Sequence, residues 1–283
     1  THFTSEAQAP IIVRGYDASH RLHRGRHSRS FQNKTDSDIV KSIASEVGIS
    51  VGKVDSSGGP YGYGDIGGSS GYVFQQNQTN MEFLRERAAR HGFELFVQDG
   101  KLNFRKPTKD STLSLEWLQD VHSFRVRVSS AEQVKSVEVR GWDYSRKEVI
   151  AETISKAQQV LTDTDSGEGS KTVSSFEGKP KTPTLVMIDQ PISQATEAKA
   201  MAQALYDEVG GEFVQADARS EGDPSIRPGR VVKLAGMGKY SGSYYVTETR
   251  HVLHERIYKT EFAVRGLRGG DLLQTLETKN TLQ

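Results

Sequence analysis

The sequence predicts an α+β protein that is mainly sheet. β-rich regions lie at both ends, a small α/β domain lies between them, and a helix is inserted into the later β region. Three observations carry this. Apolar and polar residues alternate over 124–142 and again over 229–267. Two compact helical patterns fall between residues 35 and 92, each opened by Thr and closed by Gly. Finally, Val13-Arg14-Gly15-Tyr16-Asp17 returns as Val139-Arg140-Gly141-Trp142-Asp143, with a weaker echo at Val264-Arg265-Gly266. A recurrence of that kind reads as two related β domains.

The elements follow in order. Residues 9–16 read as a strand, with β-branched residues leading into Gly15. His20–Arg29 holds four Arg and three His in ten residues and reads as a basic loop before Phe31. A helix follows, with Thr35 or Ser37 as N-cap. Asp36 and Asp38 sit at its positive end, Ile39, Ile43 and Val47 form one apolar stripe, and Gly48 is the stop. Residues 55–71 hold seven glycines without periodicity. They lead into a strand at Tyr72–Phe74 rather than into a helix, so they form a loop and not a phosphate cradle. Thr79 or Asn80 caps a second helix over Met81–His91, with Met81, Leu84 and Ala88 inward and Gly92 at its end. On it Glu82, Glu86, Arg85, Arg87 and Arg90 read as a solvated face. Asp99-Gly100 between two alternating segments, Glu94–Gln98 and Lys101–Arg105, is a type I′ hairpin signal.

From residue 111 the pattern is β. Ser123–Val128 and Val134–Trp142 alternate and are joined by a short turn, which predicts a hairpin. Residues 162–184 are rich in Ser, Thr, Gly and Pro and read as an exposed excursion. A strand at Leu185–Ile188 precedes the longest helix, Ser193–Val209, capped by Ser193 or Thr196. Gly229–Leu234, Tyr244–His251 and Tyr258–Leu267 are the last strands, and Leu272–Gln283 is a connector. The predicted layout is therefore 1–32, the last strands of a first β domain; 33–110, the α/β domain; and 111–152 with 212–268, a second β domain. Residues 153–211 form its insertion, and 269–283 connect onward.

Composition bounds the chemistry. The chain of 283 residues has no Cys, which excludes disulfides and thiolate sites. Its 37 basic and 36 acidic residues give a net charge of +1, against a globally basic nucleic-acid binder. Hydrophobic residues reach only 35%, which suits a loop-rich β protein or one whose burial is completed by partners. No apolar stretch approaches the ~20 residues of a membrane span, and no signal peptide is expected. The spacing of His20, His23 and His27 would suit a metal only on a helix, which Gly25 disfavours, so no metal site or cofactor is expected. No His-Glu-x-x-His occurs, and no acid/base pair declares itself. Asp17 and Asp143 read as strand-end caps, and His251 and His254 as a structural rim. Catalytic residues are expected to be none.

Four stretches together resemble the phage late control D and VgrG-type tail-hub proteins of contractile tails and injection systems. They are Val13–Phe31, Gln75–Phe104, Phe124–Asp143 and Pro228–Gly266. The resemblance implies two tube-like antiparallel β-barrel domains per subunit. Three subunits would form a pseudo-sixfold homotrimeric ring, adapting the hexameric inner tube to a trimeric spike. The implied partners are the chain itself, the inner tube protein, the spike and other baseplate proteins. The implied setting is a particle assembled in the bacterial cytoplasm, either a phage tail or an extracellular injection system, with no enzyme activity. Arg14, Asp17, Arg21, Arg24, Arg26, Arg29, Arg140 and Asp143 are the expected subunit-interface residues. Two departures stand out: the family's opening strands would lie before Thr1, and its OB and β-helix spike regions are absent. A tail-associated cell-wall hydrolase and a nucleic-acid binder using Arg21–Arg29 are the alternatives; the second predicts steeply salt-dependent binding.

Overall fold

The computed structural model describes residues 12–58, 71–108, 111–144, 146–158, 183–190 and 192–266. The expected strand residues 9–11, most of the Gly-rich loop, most of the 162–184 excursion and the C-terminal connector lie outside the described residues.

Two reciprocal caps start the helices of the α/β unit. In α1, Asp36–Glu46, the Thr35 hydroxyl accepts from the Asp38 N–H at 3.1 Å and Asp38 Oδ2 accepts from the Thr35 N–H at 3.3 Å. In α2, Asn80–His91, Thr79 and Glu82 repeat the arrangement at 3.2 and 2.9 Å. Gly92 then ends α2 in the left-handed region at φ 64°, where a Cβ would also stand 3.2 Å from that of Ala204. Two demands thus meet at one position, backbone conformation and close approach.

The sheet partners of these helices differ from expectation at the N-terminal end. Residues 12–17 form no strand, Ala18–His23 is a 3-10 turn and His27–Gln32 is strand β1. Strand β1 pairs antiparallel with β3, Tyr72–Gln78. Strand β2, Ser50–Val54, joins the hairpin of β4, Glu94–Gln98, and β5, Lys101–Arg105. Asp99 and Gly100 take φ of 51° and 73°, as a type I′ turn requires. One core gathers Leu22 and Phe31 with Ile39, Ile43, Leu84 and Phe104. The supposed basic loop and the end of a supposed separate β domain are therefore part of the α/β unit. Leu22 and Phe31 are the reason: two apolar side chains among polar ones, both buried against the helices.

The predicted hairpin of 123–128 with 134–142 does not form. Strand β7, Val121–Val128, belongs to a six-stranded sheet ordered β6-β12-β13-β14-β11-β7. Its other members are β6, Ser111–Glu116; β11, Val214–Glu221; β12, Val231–Ala235; β13, Gly242–His254; and β14, Ile257–Gly266. Strand β8, Ser136–Asp143, instead lies between β9, Glu148–Ile154, and β10, Thr184–Met187, in a three-stranded sheet. The apolar faces of β7 and β8 find different cores. Phe124 and Val126 pack with Phe213, Tyr244 and Val264. Val137 and Val139 pack on α3, Ala195–Gly211, through Ala198, Met201 and Ala202. Helix α3 starts after Gln194, which makes no side-chain cap bond, so neither Ser193 nor Thr196 is the cap.

The six-stranded sheet curls. Its two outer strands are consecutive in sequence and meet at an isolated bridge between Trp117 and Val121, beyond which they part. Strand β11 was missed in the sequence although its alternation is complete. Val214, Ala216, Ala218 and Ser220 are buried and the residues between them exposed, but its small side chains give a weak apolar signal. The result is a mixed α+β fold that is mostly sheet, with one half-barrel. Among the described residues, no helix is long and apolar enough to cross a membrane.

Candidate assembly surfaces

The eight expected interface residues divide by position. Arg14 is exposed in the irregular lead-in, and Asp17 caps the 3-10 turn by accepting from the Ser19 N–H at 2.9 Å. Three of the loop arginines bond within their own domain. Arg21 donates to the Gly48 carbonyl at 2.6 Å, and Arg26 donates to the Asn77 carbonyl and pairs with Glu82 at 3.3 Å. Arg29 donates to Gln75 at 2.9 Å and Asn80 at 2.8 Å, pairs with Glu46, and lies over the Phe31 ring at 5.3 Å. Only Arg24 of that loop stays exposed without such a role. Arg140 is exposed and donates to Glu138 at 2.7 Å; Asp143 accepts from the Arg146 N–H at 3.0 Å.

The echoed pentapeptides do not share a setting. Val13-Arg14-Gly15-Tyr16-Asp17 is irregular, with Val13 87% exposed, whereas Val139-Arg140-Gly141-Trp142-Asp143 ends β8 with Val139 fully buried. Their glycines answer to different demands. A Cβ on Gly141 would come within 2.9 Å of that of Ile192, while one on Gly15 would meet nothing within 4 Å.

Residues missed in the sequence hold the layers together. Arg87, expected in solvent, is buried and forks onto Asp36 at 2.6 and 3.0 Å, with His91 Nε2 at 2.6 Å from the same carboxylate. Burial alone pushes the Asp36 carboxyl up. The hydrogen bonds from His91 and Arg87 and the Arg87 charge outweigh it, so the group sits below its ordinary value. Arg90, also expected in solvent, ties α2 to α3 through Glu197 and bonds Gln190 in the segment before α3. These partners lie from 51 to 107 residues apart, and no local signal links them.

A cavity of about 260 Å³ lies where α2, β4, α3, β13 and β14 meet, lined in part by Arg85, Glu94, Asp207, Tyr245 and Arg265. Glu94 Oε2 accepts from Arg105 Nε at 3.3 Å, and Arg105 donates onward to the Gly229 carbonyl at 3.2 Å, crossing from the α/β unit to the half-barrel. Glu94 Oε1 is buried with no hydrogen-bond partner among the described residues. Burial outweighs the attraction of Arg105 and Arg265 and pushes its pKa to about 7. Among the described residues no group of three or more His, Asp or Glu is placed to hold a metal.

The fold defined by these layers is shared with viral tail proteins. A 43 kDa tail protein of prophage MuSo2 from Shewanella oneidensis superposes with TM-score 0.61 at 16% identity, over 88% of this chain and 71% of that one. A tail protein from Neisseria meningitidis MC58 gives 0.60 at 13% identity, over 87% and 72%. A chain of the gene transfer agent virion gives 0.50 at 17%, over 92% of this chain and 54% of that one. In sequence, the family model described as Alg8 N-terminal domain matches residues 2–255, and the chain belongs to that family. No curated protein matches the chain.

Proposed function

We propose that the protein is a non-enzymatic structural subunit of a tail or baseplate. Specifically, it is the hub, a homotrimer whose pseudo-sixfold ring adapts a hexameric inner tube to a trimeric spike. Each subunit presents two tube-like β units to the ring, one of them the curled six-stranded sheet. The observation that carries the reading is the fold shared over most of the chain with tail proteins. The resemblance of the four ordered stretches to tail-hub proteins supports the finer role. So does the burial pattern: Val149 and its cross-strand neighbour Trp142 remain exposed, as do Tyr144 and Ile188, as in a subunit that completes its core against neighbours. The intramolecular bonds of Arg21, Arg26 and Arg29 weigh against nucleic-acid binding by that loop.

Light-scattering mass in solution, with images of the assembled particle, tests the proposal. A trimer seated between tube and spike is expected. A monomer in both settings would sink the hub role, and cleavage in a peptidoglycan turnover assay would sink the non-enzymatic one.

A further inference from the structure

Two of the outer strands among the described residues, β7 and β9, have complementary side chains. Strand β7 is the end of the six-stranded sheet, paired only with β11 apart from its bridge at Val121. Strand β9 is the end of the three-stranded sheet, paired only with β8. On β7, Arg125 and Arg127 are exposed and make no hydrogen bond or ion pair among the described residues, although Asp217 lies opposite Arg125 in the register. On β9, Glu148 and Glu152 likewise make none. The opposite faces agree as well. Phe124, Val126 and Val128 on β7 are only partly buried. On β9, Val149 is 66% exposed, Ala151 is exposed, and Trp142 beside Val149 is 42% exposed.

Resting on the ring reading above, we propose that β7 of one copy pairs antiparallel with β9 of the next, joining the two sheets across the subunit boundary. In the alignment that sets Arg125 opposite Glu152, Arg127 falls opposite Ile150 and diagonal to both glutamates, within reach of either. The same alignment sets Val126 on Ala151 and Val128 on Val149. A slip of one residue would put arginines on the apolar face and valines among the glutamates, so the side chains specify which faces align. The two edges are different surfaces of one chain, so the contact is head-to-tail, the kind that closes into a ring when the rotation permits. The paired edges also protect strands that would otherwise invite indiscriminate pairing.

Charge exchange is the test. The R125E/R127E chain and the E148K/E152K chain should each associate at least about tenfold more weakly than wild type by sedimentation, with unchanged circular dichroism. The chain carrying all four substitutions should recover association. Because the protein has no Cys, a V126C/A151C chain should form disulfide-linked oligomers on mild oxidation, which reads the contact even if a charge variant misfolds. Full association of both charge-reversed chains, no recovery in the fourfold variant while it is folded, or no cross-link from V126C/A151C in an associated chain would overturn the pairing and leave the ring reading standing. Wild type that stays monomeric in solution and in particles would overturn the ring itself.

Discussion

Arginines in the α/β unit and arginines on β7 behave in opposite ways. Arg29 and Arg87 sit among carboxylates, amides and rings of their own domain; Arg87 is 8% exposed in its side chain and shares Asp36 with His91. Arg125 and Arg127 stand exposed on an outer strand with no hydrogen bond or ion pair among the described residues. The helices supply partners to the first group: Asp36 and Glu46 from α1, and Asn80 from α2. The half-barrel has a single apolar inner face, so its outer face must place charge in solvent or against another chain. A buried cation without its anion is costly, whereas a surface cation is nearly neutral for stability. Stability therefore resides in the first group, and the second is the one we propose for recognition.

Removing the anion breaks the contrast most sharply. Asp36→Ala leaves Arg87 buried and unpaired and should cost about 3–5 kcal/mol in urea denaturation. Because the folded Asp36 carboxyl lies below its ordinary value, its contribution is present above the unfolded pKa and is lost as pH falls through the folded one, so wild type and variant should converge in acid.

Glu94 has the opposite sign. Its folded pKa of about 7 exceeds the ordinary 4.5, so the folded state holds the proton more tightly. Its stabilising contribution is complete below about pH 4.5 and is lost as pH rises through 7. Glu94→Gln should leave stability at pH 4 unchanged and raise it by about 2–3 kcal/mol at pH 8, read by chemical denaturation at both values. A pH-independent effect would mean that Oε1 is not carrying a buried charge.

Thr79→Ala removes one half of a reciprocal cap and should lower stability by about 1 kcal/mol, measured by thermal denaturation, with Thr79→Ser restoring most of it. At the low end, Arg125→Ala with Arg127→Ala should change monomer stability by less than about 0.5 kcal/mol. A larger loss would show that these arginines serve the fold, and would collapse the distinction between the two groups.

Local structure was legible where one short segment carries its own chemistry. Thr35-x-x-Asp38 and Thr79-x-x-Glu82 gave both helix starts, and Asp99-Gly100 gave its hairpin and register. The reading failed where a segment's partner is remote. His20–Arg29 looked like a basic loop because four cations dominate its composition, yet Leu22 and Phe31 drive it into a core completed by helices downstream. Strands β7 and β8 looked like a hairpin because both alternate and the turn is short, yet each is claimed by a different sheet. The recurrence around Gly15 and Gly141 does not mark one structure used twice, since the contact that requires Gly141 has no counterpart at Gly15.

By itself, then, the sequence determined a mixed α+β chain without cysteine chemistry, with two capped helices and a β-rich later region. These properties follow from side-chain type and spacing over a few residues, where local sterics and capping hydrogen bonds decide. The tertiary structure alone decided which strands share a sheet, that Arg87 and Arg90 are buried, that Glu94 lies in a seam, and that β7 and β9 are left with free edges. Those outcomes depend on which surfaces meet across 50–100 residues, and no periodicity within a single segment encodes the identity of its distant partner.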